Sequence, residues 1–278
     1  MKDKANELKD KVKDKAKEKT NERLEKQRKE YDESNFNFAI SFLDNSGTFE
    51  TKEKGNAFSS SVINLEKLVN KEEKTVEDRA YTNLKNGELF MAGNKTYLAE
   101  QSFKLAKALY EGESKTDNIN YTQTLSDLGL LYQSTGRYNK AKPFNEKALG
   151  LREKGENKGL LLVSINNNAV LKKETGFYTE AERDFKKALE LAKEQNNQLA
   201  KALIYNNLAM TYLDMNKLKD AETQMNTSVL EAASALKEDA GNFIKLQINL
   251  ANIYRFQKKY TNAEEMYLKA IAAKEKKI

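Results

Sequence analysis

Asparagines are the residues of this chain whose placement says most about chemistry. Asn166 and Asn167, Asn206 and Asn207, and Asn249 with Asn252 recur at steps of roughly forty residues, and Asp127 stands one step before the first of them. A carboxamide carries a donor and an acceptor together. A row of them can pair with the N–H and C=O of an extended peptide without selecting among its side chains. The same groups can equally bond neighbouring turns and helix backbones, and the residues alone leave both readings open. Lys173, Lys245 and Arg255 lie nearby in sequence and could meet acidic groups of a partner, although a solvated lysine is the ordinary state of such a residue.

Other chemistry is thin. The chain has no histidine and no cysteine. That removes the commonest general base, the thiolate nucleophile and the usual transition-metal ligands. No spacing of Asp and Glu singles out a carboxylate pair. The expectation is a protein that is not an enzyme, with no catalytic residues, no cofactor, no metal and no small-molecule substrate. Gly87-Glu-Leu-Phe-Met-Ala-Gly93-Asn94-Lys95-Thr96 comes near a phosphate loop. It has one residue too many between its glycines, Asn94 intrudes before the lysine, and no strand precedes it. Asn-x-Ser/Thr triplets at Asn94, Asn120 and Asn226 arise readily by chance in an Asn-rich chain.

The formal net charge is +6, but lysines alternate with Asp and Glu along most of the chain. That pattern reads as a solvated face, and a nucleic-acid partner is disfavoured because Arg forks and stacking aromatics are not gathered in one patch. No apolar run approaches the ~20 residues that cross a bilayer, and the first residues hold no hydrophobic signal core. A cytoplasmic protein is expected, or an exported one if a leader has been removed.

The elements that must position the asparagines are helices. There is one proline, Pro143, among 278 residues, and only 12 glycines. Residues 1–33 form a Lys/Glu-rich helix or frayed extension, with Leu8, Val12, Ala16, Thr20 and Leu24 four apart. That step drifts around a 3.6-residue helix and leaves only a thin apolar stripe. Beyond it, amphipathic helices alternate with short turns, marked by Gly136, Gly176, Asn216 and Lys258 at steps of 40, 40 and 42, with Gly93 taken as an earlier marker. Seven residues before the four later markers stand Gly129, Ala169, Ala209 and Ala251. Five after them stand Ala141, Ala181, Ala221 and Ala263, and twelve after them Ala148, Ala188, Ser228 and Ala270. Small residues let the two helices of a pair approach closely. Tyr132, Tyr212 and Tyr254, four before the marker, suit the wedge between pairs.

These columns resemble the tetratricopeptide repeat family, in TLSDLGLLYQSTGRYNKAKPFNEKALGLREK and LIYNNLAMTYLDMNKLKDAETQMNTSVL. The long step and Pro143 early in a second helix are most similar to the kinesin-light-chain type of repeat. The resemblance implies an all-α fold, a right-handed α-solenoid of antiparallel helix pairs, over residues 34–278. Clear repeats are 122–155, 162–195, 202–235 and 244–277; degenerate ones are 76–112 and 34–71. In the last, Phe36, Phe38, Ile40 and Phe42 alternate as a strand would, though helix is favoured. It also implies that the first helix of each pair lines a concave groove, where Asn166, Asn167, Asn206, Asn207, Asn249, Asn252 and Asp127, with Lys173, Lys245 and Arg255, would hold a protein or extended peptide. The expected function is therefore a non-catalytic interaction scaffold. The alternative is a regulatory or sensor module of a larger protein whose effector domain is absent here, with nucleic-acid binding behind both. The closing AIAAKEKKI suggests self-association through the last helix.

Overall fold

A computed structural model describes residues 75–235 and 241–275, all within one compact unit. The expectations for residues 1–33 and 34–71 lie outside the described residues. Ten helices follow one another, with no strand among the described residues: α1 (Val76–Ala92), α2 (Thr96–Gly112), α3 (Ile119–Ser134), α4 (Tyr138–Arg152), α5 (Lys158–Glu174), α6 (Tyr178–Glu194), α7 (Gln198–Asp214), α8 (Leu218–Ala235), α9 (Gly241–Phe256) and α10 (Tyr260–Glu275). Odd-numbered helices open each pair and even-numbered helices close it. Each helix packs on its sequence neighbours, and α1, α3 and α5 each also touch the next odd helix. None of the described helices is long and apolar enough to cross a membrane.

Local chemistry sets the boundaries. Thr75 caps α1 through a reciprocal box with Asp78, and Asn118, Asn157 and Asn197 cap α3, α5 and α7 by accepting backbone N–H bonds. Each odd helix ends in a left-handed residue: Asn94, Gly136, Gly176, Asn216 and Lys258, with φ of 56°, 69°, 84°, 57° and 62°. The next residue's N–H then turns back to the helix, as in Arg137 to Tyr132 O at 2.8 Å and Phe177 to Lys172 O at 2.8 Å. The early marker is thus Asn94 and not Gly93, whose φ is −86°. The adjacent glycine was misleading because both residue types suit such a turn.

With that shift the first pair obeys the same columns. Gly87 stands seven before Asn94, and a Cβ there would lie 2.4 Å from the Phe103 ring. Gly87 is thus a packing residue inside α1, which disposes of the phosphate-loop likeness. Ala99, Ala141, Ala181 and Ala221 are fully buried, and Ala263 nearly so. In the twelve-after column Ser228 replaces alanine and donates its hydroxyl to Ala202 O at 2.6 Å, so the polar atom is satisfied.

A glutamate fastens the edge of most joints between pairs. Glu100 on α2 accepts from Tyr132 Oη at 3.0 Å and pairs with Arg137 at 2.6 Å. Glu182 on α6 accepts from Tyr212 Oη at 2.9 Å. Glu222 on α8 accepts from Gln257 at 2.9 Å and pairs with Lys259 at 2.8 Å. Arg137, Lys217 and Lys259 also lie over the rings of Tyr132, Tyr212 and Tyr254.

Candidate functional site: the polar row along the odd helices

Counted from the left-handed turn, the position nine residues earlier reads Lys85, Asp127, Asn167, Asn207 and Asn249 down successive odd helices. Helical periodicity puts this position on the face turned away from the small-residue column seven before the turn. The ten-before position, one residue round the helix, reads Leu84, Ser126, Asn166, Asn206 and Ile248.

The asparagines bond one another from helix to helix. Asn249 Nδ2 donates to Asn206 Oδ1 at 2.8 Å, Asn206 Nδ2 to Asn207 Oδ1 at 3.3 Å, and Asn207 Nδ2 to Asn166 Oδ1 at 3.1 Å. The line runs α9, α7, α5, and the carboxamides of Asn166, Asn167, Asn206 and Asn207 are buried while Asn249 is half-buried. Asn167 accepts at its backbone carbonyl from Gln133 at 3.2 Å. Asn252 is half-buried and its Oδ1 accepts from Tyr267 Oη at 2.6 Å. Lys173 pairs with Glu174 at 2.9 Å. Lys245 is half-buried on α9, and Arg255 is exposed with its guanidinium 5.4 Å from the Phe256 ring.

Towards α1 the row changes from amides to charges. Lys85 donates to both oxygens of Glu88, at 3.0 and 2.9 Å, and both residues are buried. Asp127, also buried, accepts at Oδ1 from Gln123 at 2.8 Å, and the Gln123 carbonyl accepts from Arg152 at 2.7 Å. Arg152 further donates to Ser164 Oγ at 2.8 Å and Leu160 O at 3.2 Å, joining α4 to α5. Burial dominates the titration of all four ions. It pushes the Asp127 carboxyl up to about 8, with Glu88 adding to the rise and Lys85 and Arg152 opposing it. It raises Glu88 against the pull of Lys85, lowers Lys85, and lowers Arg152 to about 10.

Lys85 and Glu88 are the members of this face that sequence reasoning missed. The signal was present: counting from Asn94 in place of Gly93 puts Lys85 in the Asn167 column. In the closing segment AIAAKEKKI, Ala270 is buried while Ile271 and Ala272 face solvent. Among the described residues no cluster of acids could hold a metal ion.

Three tetratricopeptide repeat models match the chain, at residues 122–155, 160–229 and 244–277. No curated protein sequence matches it. Among solved structures, a putative kinesin light chain from Podosopora anserina with nearly identical repeats is 14% identical, covers 74% of this chain and 99% of its own, and superposes with a TM-score of 0.61. BtubC from P. vanneervenii is 21% identical over 81% of this chain and 91% of its own, with a TM-score of 0.61. NprR, a quorum sensor from B. thuringiensis, solved with its cognate peptide NprX, is 17% identical over 88% of this chain and 67% of its own, with a TM-score of 0.62. At these identities the likeness establishes the right-handed all-α solenoid.

Proposed function

Because the chain is a tetratricopeptide-repeat protein with repeats of the kinesin-light-chain type, we propose that it is a non-catalytic scaffold whose odd-helix face holds an extended peptide of a protein partner. The observation that carries this reading is the register of the amide row. Asn167, Asn207 and Asn249 occupy one column on three successive odd helices, and the ladder orients the carboxamides of Asn207 and Asn249. Extended backbone offers N–H and C=O groups on both edges, and carboxamides fixed in line can meet them without reading sequence. NprR, a protein of similar fold solved in complex with its cognate peptide, supports a peptide as the occupant. The ladder keeps the amides aligned before a partner arrives, which lowers the ordering cost of binding.

The test uses the full chain as bait, with captured proteins identified by mass spectrometry. Changing Asn167, Asn207 and Asn249 together to Ala is expected to cut capture at least tenfold while the melting temperature moves by a few degrees. Collapse of helicity in the variant would assign the amides to the fold alone. Unchanged capture by a folded variant would place the partner elsewhere.

A further inference from the structure

The joint between α4 and α5 is built unlike its neighbours. At the α6/α7 joint the filling is apolar: Phe185 and Ala192 on α6 meet the level of Ile204 and Leu208 on α7, all buried. One pair earlier, the equivalent positions hold Asn145, Arg152, Ser164 and Asn168. Asn145 donates to Gln133 Oε1 at 2.6 Å, Asn168 donates to Asn145 O at 3.2 Å, and Arg152 bonds Ser164. Four buried polar atoms of α3, α4 and α5 have no hydrogen-bond partner among the described residues: Asp127 Oδ2, Asn145 Oδ1, Arg152 Nε and Asn166 Nδ2. Around α6 and α7 the corresponding atom is Gln195 Nε2, in the loop between them.

The edge glutamate is missing at the same joint. Where Glu100, Glu182 and Glu222 sit on the other even helices, α4 has Lys142, 67% exposed and 3.9 Å from its own neighbour Glu146. The tyrosine of the next helix is replaced by Lys172, which turns to Asp184 in its own pair. The cation beyond the turn is replaced by Phe177, 57% exposed. Across the α4/α5 edge there remains a bond from Tyr138 Oη to Glu174 at 3.2 Å.

Opening a joint wets its filling. Wetting Phe185 and Leu208 forfeits the favourable burial of two large apolar side chains. Wetting amides and a guanidinium exchanges protein hydrogen bonds for water bonds at a small net cost, and it gives the orphaned buried atoms partners they lack. The α4/α5 joint therefore parts at lower cost than the α6/α7 joint.

We propose that the α4/α5 joint is a built-in hinge, about which α1–α4 and α5–α10 open and reclose as two rigid segments. Such a joint changes the curvature of the odd-helix face at one defined point, between Asp127 and Asn167, while each segment keeps its own packing.

Hydrogen exchange of the full-length protein, read by mass spectrometry, tests this. Amides of the α4 C-terminal half and α5 are expected to exchange at least tenfold faster than those of the α6 C-terminal half and α7. Rebuilding the edge with Lys142→Glu and Phe177→Lys should slow exchange at α4/α5 severalfold and leave α6/α7 unchanged. Conversely, Glu182→Lys should speed exchange at α6/α7 without touching α4/α5; it guards against a rebuilt variant that fails to fold, as judged by helicity. Equal exchange at the two joints, or exchange at α4/α5 that ignores the rebuilt edge in a folded variant, would overturn the hinge.

Discussion

The α4/α5 and α6/α7 joints share one backbone plan and differ in what fills it. Both follow a glycine turn with left-handed φ at Gly136 or Gly176, both bring alanine columns together, and both place an asparagine cap, Asn157 or Asn197, on the entering helix. Yet one is filled by Asn145, Asn168 and Arg152 and the other by Phe185, Leu208 and Ala192. The fold thus depends on turn geometry and on the small residues that set helix spacing. The filling decides instead how firmly a given joint is held.

The largest test of that contrast is truncation at equivalent positions. Phe185→Ala, at a fully buried site, should cost about 3–5 kcal/mol in denaturant unfolding. Asn145→Ala should cost only about 1–3 kcal/mol, mainly from leaving Gln133 Oε1 unpaired. Similar losses at both sites would remove the distinction. Next comes Gly129→Ala. A methyl there would fall 1.8 Å from Asn145 Oδ1, so about 1–3 kcal/mol of stability should be lost, with the loss reduced when Asn145 is changed to Ala in the same chain. The equivalent residue of the fourth pair is already Ala209 and is tolerated, since Met225 lies where Asn145 would.

A pH dependence follows from Asp127. Its carboxyl sits at about 8 in the fold, above the ordinary 3.8, so the folded state binds the extra proton between those values. Stability from this group is therefore present at low pH and lost as pH rises through about 8. Asp127→Asn should flatten that fall, and melting temperatures from pH 5 to 9 would show the two curves separating at the alkaline end. Parallel curves would place the proton on another group of the cluster, Glu88 foremost. The smallest effect belongs to the edge: Glu182→Gln keeps the Tyr212 bond and loses only the charge, for about 0–1 kcal/mol by thermal melting.

Much of the architecture was legible from residues alone because turn and spacing residues are few in kind. Gly, Asn and Ala at fixed offsets announce left-handed caps and close helix pairs. The first pair was read one residue out of register since Gly93 stands beside Asn94, and that slip hid Lys85 and Glu88. The asparagine row was legible as a face. Its mutual bonding was not, because periodicity gives the direction of a side chain and says nothing of the partner it finds. Asn145 and Arg152 escaped notice for another reason: each is polar in a column that is apolar in the following pairs, Phe185 and Met225 or Ala192 and Ala232, so they looked like surface residues.

The asparagine caps have a consequence for how such a chain can change over generations. The pairs opened by α3, α5 and α7 each carry their own start signal and their own turn, so whole pairs can be duplicated or excised as units without rewriting their interiors. Where the filling is apolar, a new neighbour of similar bulk would serve. At Arg152 it would not: a recombination boundary there would part the guanidinium from Ser164 and Leu160 and leave a positive charge sealed in the array. Lineages that shuffle pairs should therefore move the segment spanning α3 to α6 as one cassette.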